Sequence, residues 1–257
     1  IKNGRLVNSK KAYKADILIE NEKIKCIQPK IQEKAYRTID AEKLHILPGI
    51  IDPQVHFRDP GLTHKEDLLT GSIAAASGGI TTFFEMPNTK PSTTSFKLLD
   101  KKNKLAEEKS VVNYSFFFGA TSDNLDQIAM LEGNCGLKIF MGSSTGDLLV
   151  DNDETLEKIF SCCNRIIAVH AEDEETLNKF SKYAKSGPFS NHVKARPVEA
   201  AVKATQKAVD LALKYKKRLH VLHISTSDEV EIIRKNKSSG LITGETTPQH
   251  LLLHAPD

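Results

Sequence analysis

Two rhythms divide the chain. Through residues 1–47, apolar and polar positions alternate in short pieces, Ala15-Asp16-Ile17-Leu18-Ile19 and Lys23-Ile24-Lys25-Cys26-Ile27, parted by the polar turn Glu20-Asn21-Glu22. Period-two alternation broken by a turn predicts an antiparallel pair, so residues 1–47 read as part of a small flanking β domain. From residue 48 to 257 the pattern becomes apolar run, loop and helical stripe, repeated. After the run ending at Ile51, strands are predicted at 80–86, 111–118, 136–141, 165–170, 219–224 and 241–245, with helices near 95–109, 123–132, 153–163, 197–216 and 227–236.

Two helices carry explicit signals. Thr63-His64-Lys65-Glu66 fits a capping box, Leu69, Ile73 and Ala76 share a face, and Gly78-Gly79 closes that first helix. The longest helix opens with Pro197 at its first position and carries Val198, Ala201, Val202, Val209, Ala212 and Leu213 on a stripe. Strand–helix alternation implies a parallel sheet, and its even spacing favours a (β/α)8 TIM-type barrel over an open doubly wound sheet. The sequence offers seven strands and no eighth. An open sheet needs none; the barrel reading expects the last strand in a longer polypeptide.

Composition narrows the classes. With 39% hydrophobic and 27% charged residues the chain can bury a core. A net charge of +3, without an aromatic-rich basic stripe, argues against nucleic acid. The clusters Lys101-Lys102-Asn103-Lys104 and Lys214 to Arg218 read as solvated helix faces and ends. No apolar run is long enough to span a membrane. Cys26, Cys135, Cys162 and Cys163 lack the spacing of a disulfide or zinc framework, which points to reduced thiols and a cytoplasmic protein.

The candidate chemistry sits where strands finish: His56, Asn88, Lys138, His170 and His223. In a parallel barrel these ends open on one face, where active sites are built. A lone histidine there is more often a hydrogen-bonded rim residue, the reading adopted for His45, His64, His192 and His220. Three equivalent placements move His56, His170 and His223 toward a metal. Strand alternation puts Arg58 on the face of His56. Lys138, flanked by Leu137, Ile139 and Phe140, is expected to be buried; either its ammonium snorkels to the rim, or it is carboxylated into an anionic bridge.

The segments Leu47-Pro48-Gly49-Ile50-Ile51-Asp52, Val55-His56-Phe57-Arg58-Asp59-Pro60-Gly61, Met86-Pro87-Asn88-Thr89, Gly136-Leu137-Lys138, Val169-His170-Ala171-Glu172 and Thr247-Pro248-Gln249-His250 resemble the dihydroorotases, cyclic amidohydrolases of the amidohydrolase superfamily. The resemblance runs over essentially the whole chain. It implies interconversion of N-carbamoyl-aspartate and dihydroorotate in pyrimidine biosynthesis, with one or two zinc ions per subunit. It implies His56, His170 and His223 as zinc ligands, Lys138 as the carboxylated bridge, and Arg58 and Asn88 as holders of the substrate carboxylate. A homodimer, or association with an aspartate transcarbamoylase, are the partner arrangements it suggests.

The chain departs from that pattern twice. Gln54 stands where the family has the first histidine of His-x-His, and no segment matches the catalytic Asp expected after the eighth strand. His254-Ala255-Pro256-Asp257 shares letters with that segment but follows the seventh strand too soon. Two further readings stand beside dihydroorotase: a catalytically silent homologue serving as an assembly partner, and a hydantoinase- or allantoinase-like enzyme.

Overall fold

A computed structural model of the protein describes residues 1–143, 148–184, 187–188 and 190–253. The segment 254–257 therefore lies outside the described residues. Near the N-terminus, strands β1 (Arg5–Val7), β2 (Ala12–Lys14), β3 (Asp16–Glu20), β4 (Lys23–Gln28) and β5 (His45–Ile46) form two small sheets, ordered β2-β1-β5 and β3-β4. Asn21 and Glu22, at φ 49° and 62°, turn the β3–β4 hairpin. Positive φ at both central residues gives the turn the twist that antiparallel strands need. Leu6, Ala15 and Ile17 form a small core of their own beneath these strands.

Strands β6 (Ile50–Val55), β7 (Ile80–Glu85), β8 (Asn113–Gly119), β9 (Gly136–Phe140), β10 (Ile167–His170), β11 (Leu219–Val221) and β12 (Ile242–Gly244) make one parallel sheet in unbroken sequence order. A doubly wound sheet reverses its order at a switch point; this one does not, and it curls as part of a barrel. Its crossovers carry α1 (Leu68–Ser77), α2 (Phe96–Lys109), α3 (Leu125–Ala129), α4 (Asp153–Cys162), α5 (Glu174–Phe180), α6 (Asn191–Ala195), α7 (Val198–Tyr215) and α8 (Ser227–Asn236), and α9 (Pro248–Leu252) follows β12.

Alternation along the strands separates two buried layers. Phe116, Phe118, Leu137, Ile139, Ile167 and Val169 pack outward against the helices, while Phe117, Met86, Ala168 and Leu222 form the inner cluster. Covering a parallel sheet on both faces gives continuous apolar runs such as Phe116-Phe117-Phe118. Lys138 is paired in register with Ala168, so its side chain leaves the strand on the inner side, between the outward Leu137 and Ile139.

Several local expectations are corrected. The first helix begins at Leu68, not within Thr63–Glu66, because Asp67 caps it by accepting from the backbone N–H of Thr70 at 2.8 Å. Its buried face is Leu68, Gly71, Ser72 and Ala75, while Leu69, Ile73 and Ala76 are exposed. The ring of Phe57 decides this: a side-chain carbon at Gly71 would stand 2.7 Å from it. In α7, Pro197 is the residue before the helix, and Val198 is exposed while Ala200, Ala204 and Ala208 are buried.

Lys102, placed by its sequence cluster on a solvated face, is 1% exposed. Its Nζ lies 2.8 Å from Glu85 Oε2, itself buried, and donates to the carbonyl of Met86 at 3.1 Å. The position fits the helix: Leu99, Lys102 and Ala106 are spaced three and four apart along the buried face of α2. Removing one partner of such a pair strands the other charge in the core, at a cost of about 3–5 kcal/mol. Lys102→Met is thus expected to destabilise the protein by about that amount in urea unfolding, and adding Glu85→Gln should recover part of the loss. An unchanged midpoint for Lys102→Met alone would show that the pair is not held in the folded protein.

Candidate active site

Lys138 is the fixed point of the site. It is 1% exposed, its ammonium nitrogen lies 4.4 Å from the Phe140 ring centroid, and no hydrogen bond or ion pair to it is seen among the described residues. Burial drives its pKa well below the usual lysine value, with Glu245 the one nearby carboxylate acting in the other direction. The amine is thereby held toward its neutral, nucleophilic form. Burial is also the first cause lowering the pKa of His56, His170 and His223, and any charge on Lys138 would act on each in the same direction. Around one lysine the structure gathers the three histidines singled out in the sequence.

His170 ends β10 as predicted, but His223 lies two residues beyond β11, in a left-handed turn at φ 39°. The two rings meet edge to face, with centroids 4.9 Å apart and His170 Nδ1 3.1 Å from His223 Nε2. On its far side, His170 Nε2 is 2.6 Å from Glu172 Oε2. Arg196 in turn donates to both oxygens of Glu172, through Nε at 2.9 Å and through Nη2. Burial lowers the His170 pKa and takes that of His223 to about 3. Burial alone would raise Glu172, yet the hydrogen bonds from His170 and Arg196 hold it at about 2. The centre therefore disfavours the charged form of both imidazoles and favours that of the carboxylate.

His56, Arg58 and Asn88 converge for a different reason from the one the sequence suggested. Regular alternation does not relate His56 to Arg58, because β6 ends at Val55 after shifts in register and Arg58 sits at φ 67°. Phe57 sets the loop instead, packing against the outer core with its ring 4.8 Å from that of Phe83. Glu85 Oε1 accepts from the backbone N–H of Arg58 at 2.9 Å. His56 Nδ1 is 2.8 Å from Asn88 Oδ1, and Arg58 Nη1 donates to the Asn88 carbonyl at 3.1 Å. Asp59 is no partner of Arg58; it pairs with Lys109 at 2.8 Å. Burial first, then the charge of Arg58, brings the His56 pKa to about 3. Gln54 is partly buried, and its Oε1 is enclosed without a hydrogen-bond donor among the described residues.

Among the described residues no three His, Cys, Asp or Glu side chains already surround one point as a cation would require. The donor set fits a divalent ion once Lys138 is counted with them. The facing nitrogens of His170 and His223 are spaced like two ligands of one small cation with bonds of about 2.0–2.1 Å. The link from His56 Nδ1 to Asn88 leaves His56 Nε2 available, and the carbonyl of Gln54 is a buried acceptor in want of a partner. Sequence reasoning missed Glu172 and Arg196, although Glu172 stands two residues after His170. Arg196 left no signal, since 24 residues separate it from its partner. His220 bears out the unremarkable reading, bonded to Thr243 at 2.8 Å and to Glu245 at 3.0 Å.

A model of the amidohydrolase family matches residues 45–257. The chain is 38% identical to a dihydroorotase of Methanosarcina acetivorans, over 100% of its own length and 58% of that relative. It is 34% identical to an allantoinase of Bacillus velezensis, over 100% of its length and 59% of the relative. The crystallised L-hydantoinase (dihydropyrimidinase) of Arthrobacter aurescens superposes with a TM-score of 0.91 at 34% identity, across 98% of this chain and 58% of that one. The chain thus spans about three-fifths of the length of these relatives.

The Glu172 environment carries a pH signature. A carboxyl lowered from 4.5 to about 2 on folding stabilises the native state fully above pH 4.5, and that stability drains away as pH falls toward 2. The contribution is on the order of 3 kcal/mol. Urea midpoints followed from pH 6 to 2 should therefore fall less steeply for Glu172→Gln than for the unmodified protein; parallel curves would show that Glu172 is not held as described.

Proposed function

The chain belongs to the amidohydrolase family, and on that footing we propose that its protein is a metal-dependent cyclic amidohydrolase, a dihydroorotase of pyrimidine biosynthesis. The observation that carries the choice of substrate is the Arg58–Asn88 arrangement beside His56. A planar guanidinium suits a carboxylate, which dihydroorotate bears and a simple hydantoin lacks. Names among the relatives favour a second reading, an allantoinase or hydantoinase acting on neutral rings.

In this proposal His56, His170, His223 and a carboxylated Lys138 hold one or two zinc ions. Zinc bound there would supply Lewis acidity toward a carbonyl and toward water. Burial supplies the rest. It disfavours protonation of the imidazoles, so that they offer lone pairs, and shifts the Lys138 amine toward its neutral form, the one that adds carbon dioxide with loss of a proton. Arg58 binds the substrate carboxylate along one edge of its guanidinium while its Nη1 stays on the Asn88 backbone carbonyl, fixing the ring relative to His56. Asn88 joins the two, its side-chain Oδ1 on His56 and its backbone carbonyl on Arg58.

Three measurements on the full-length protein test this. Lys138→Ala is expected to abolish dihydroorotate hydrolysis, with partial recovery on adding short carboxylic acids that fill the bridge; full activity would remove Lys138 from the mechanism. Arg58→Met should weaken dihydroorotate by about 10- to 100-fold in KM, the worth of a charge-assisted hydrogen bond, and leave hydantoin turnover nearly unchanged. Equal losses on both substrates would favour the neutral-ring reading. Elemental analysis should find metal nearer one than two per chain, rising in Gln54→His, because an amide oxygen is a poor zinc ligand beside imidazole. Two metals resistant to mild chelation in the unmodified protein would contradict that expectation.

A further inference from the structure

The contacts behind His170 form a chain with a direction. Arg196, at the C-terminal end of α6, presents its guanidinium to Glu172 through two nitrogen–oxygen contacts, one on each carboxylate oxygen. Its Nη2 also donates to the carbonyl of Ser143, just past β9, at 2.9 Å. Ser143 is held in turn by Glu174, which accepts from its N–H and its hydroxyl at 2.6 Å each. The loops after β9 and β10 and the turn into α7 are thus tied to one carboxylate, and that carboxylate faces His170 Nε2 at 2.6 Å.

A neutral imidazole has one N–H, and a carboxylate only accepts. The proton of His170 therefore resides on Nε2, and Nδ1 turns its lone pair toward His223 Nε2, 3.1 Å away. Without Arg196 the Glu172 carboxylate could rotate, and the ring would lose the partner that selects this tautomer. A plain structural ion pair between α6 and β10 would need charge alone. The geometry asks for more: a fork with two parallel donors fixes the carboxylate plane, which a lysine cannot do.

We propose that Arg196 and Glu172 are positioning residues that lock His170 in its Nε2–H tautomer, so that Nδ1 and the facing nitrogen of His223 are presented together to a divalent cation. The cation half of this statement rests on the reading given under Proposed function; the tautomer half does not.

The test uses full-length protein, unmodified and as Arg196→Lys, Arg196→Met and Glu172→Gln. Nitrogen-15 NMR of the imidazole rings in metal-free protein reports the His170 tautomer, with His170→Gln assigning the signal. Zinc affinity is read by competition with a chromophoric chelator, and circular dichroism with thermal unfolding reports the fold. The unmodified protein should show the Nε2–H tautomer. Arg196→Lys should keep the fold and melting temperature while showing mixed tautomers and zinc binding weakened by about 10- to 100-fold. Arg196→Met and Glu172→Gln should fall at least as far. An unmoved tautomer and zinc affinity in Arg196→Lys, matched to native in all three folded variants, would overturn the clamp and leave it a structural ion pair. If the unmodified protein binds no zinc but shows the tautomer shift on substitution, the lock stands and the metal reading fails.

Discussion

Everything at the open end of this barrel depends on keeping one lysine inside it. Lys138 projects inward from the central strand of the sheet, 1% exposed, with no ion-pair partner among the described residues and with the Phe140 ring beside its amine. A buried ammonium is costly, and the protein relieves the cost by disfavouring the charge. The same low dielectric that suppresses the ammonium suppresses protonation of the three histidines around it. One environment thereby disfavours charge on an amine and on a set of imidazoles alike, with no separate device for each.

Around that centre, charge is admitted to the interior only in bonded sets. Glu85 and Lys102 are both enclosed, and Glu85 spends its other oxygen on the backbone of the Arg58 loop. Behind His170, the partly buried Glu172 is likewise bonded on two sides, by His170 and by Arg196. The first pair links the end of β7 to α2, and the second links the loop after β10 to the turn between α6 and α7, so elements around the sheet help to set the positions of groups in the pocket. The pairs are weak evidence for stability and better evidence for specification of geometry.

The sequence carried the barrel well, because period and order are local properties. The seven strands fall close to where the apolar runs put them, and His170 closes its strand as expected. What escaped was decided across space. Leu69 and Ile73 look like a core face until the ring of Phe57 takes the other side of α1. Lys102 reads as solvated among its lysine neighbours until Glu85 faces it from β7. Arg58 and His56 do come together, yet through Asn88 and a left-handed turn, after the regular strand has already ended.

The meeting of His170 and His223 joins positions 53 residues apart. Closing a flexible loop of that size costs roughly 3.5 kcal/mol, apart from a constant that does not depend on length. The disordered chain has to meet that cost before the two rings can share anything. A ligand held between them would act as a reversible cross-link, drawing its affinity from the folded sheet and returning it as resistance to unfolding. The two rings stand together only where β10 and β11 lie side by side, so the pocket and that strand pairing share one long-range closure.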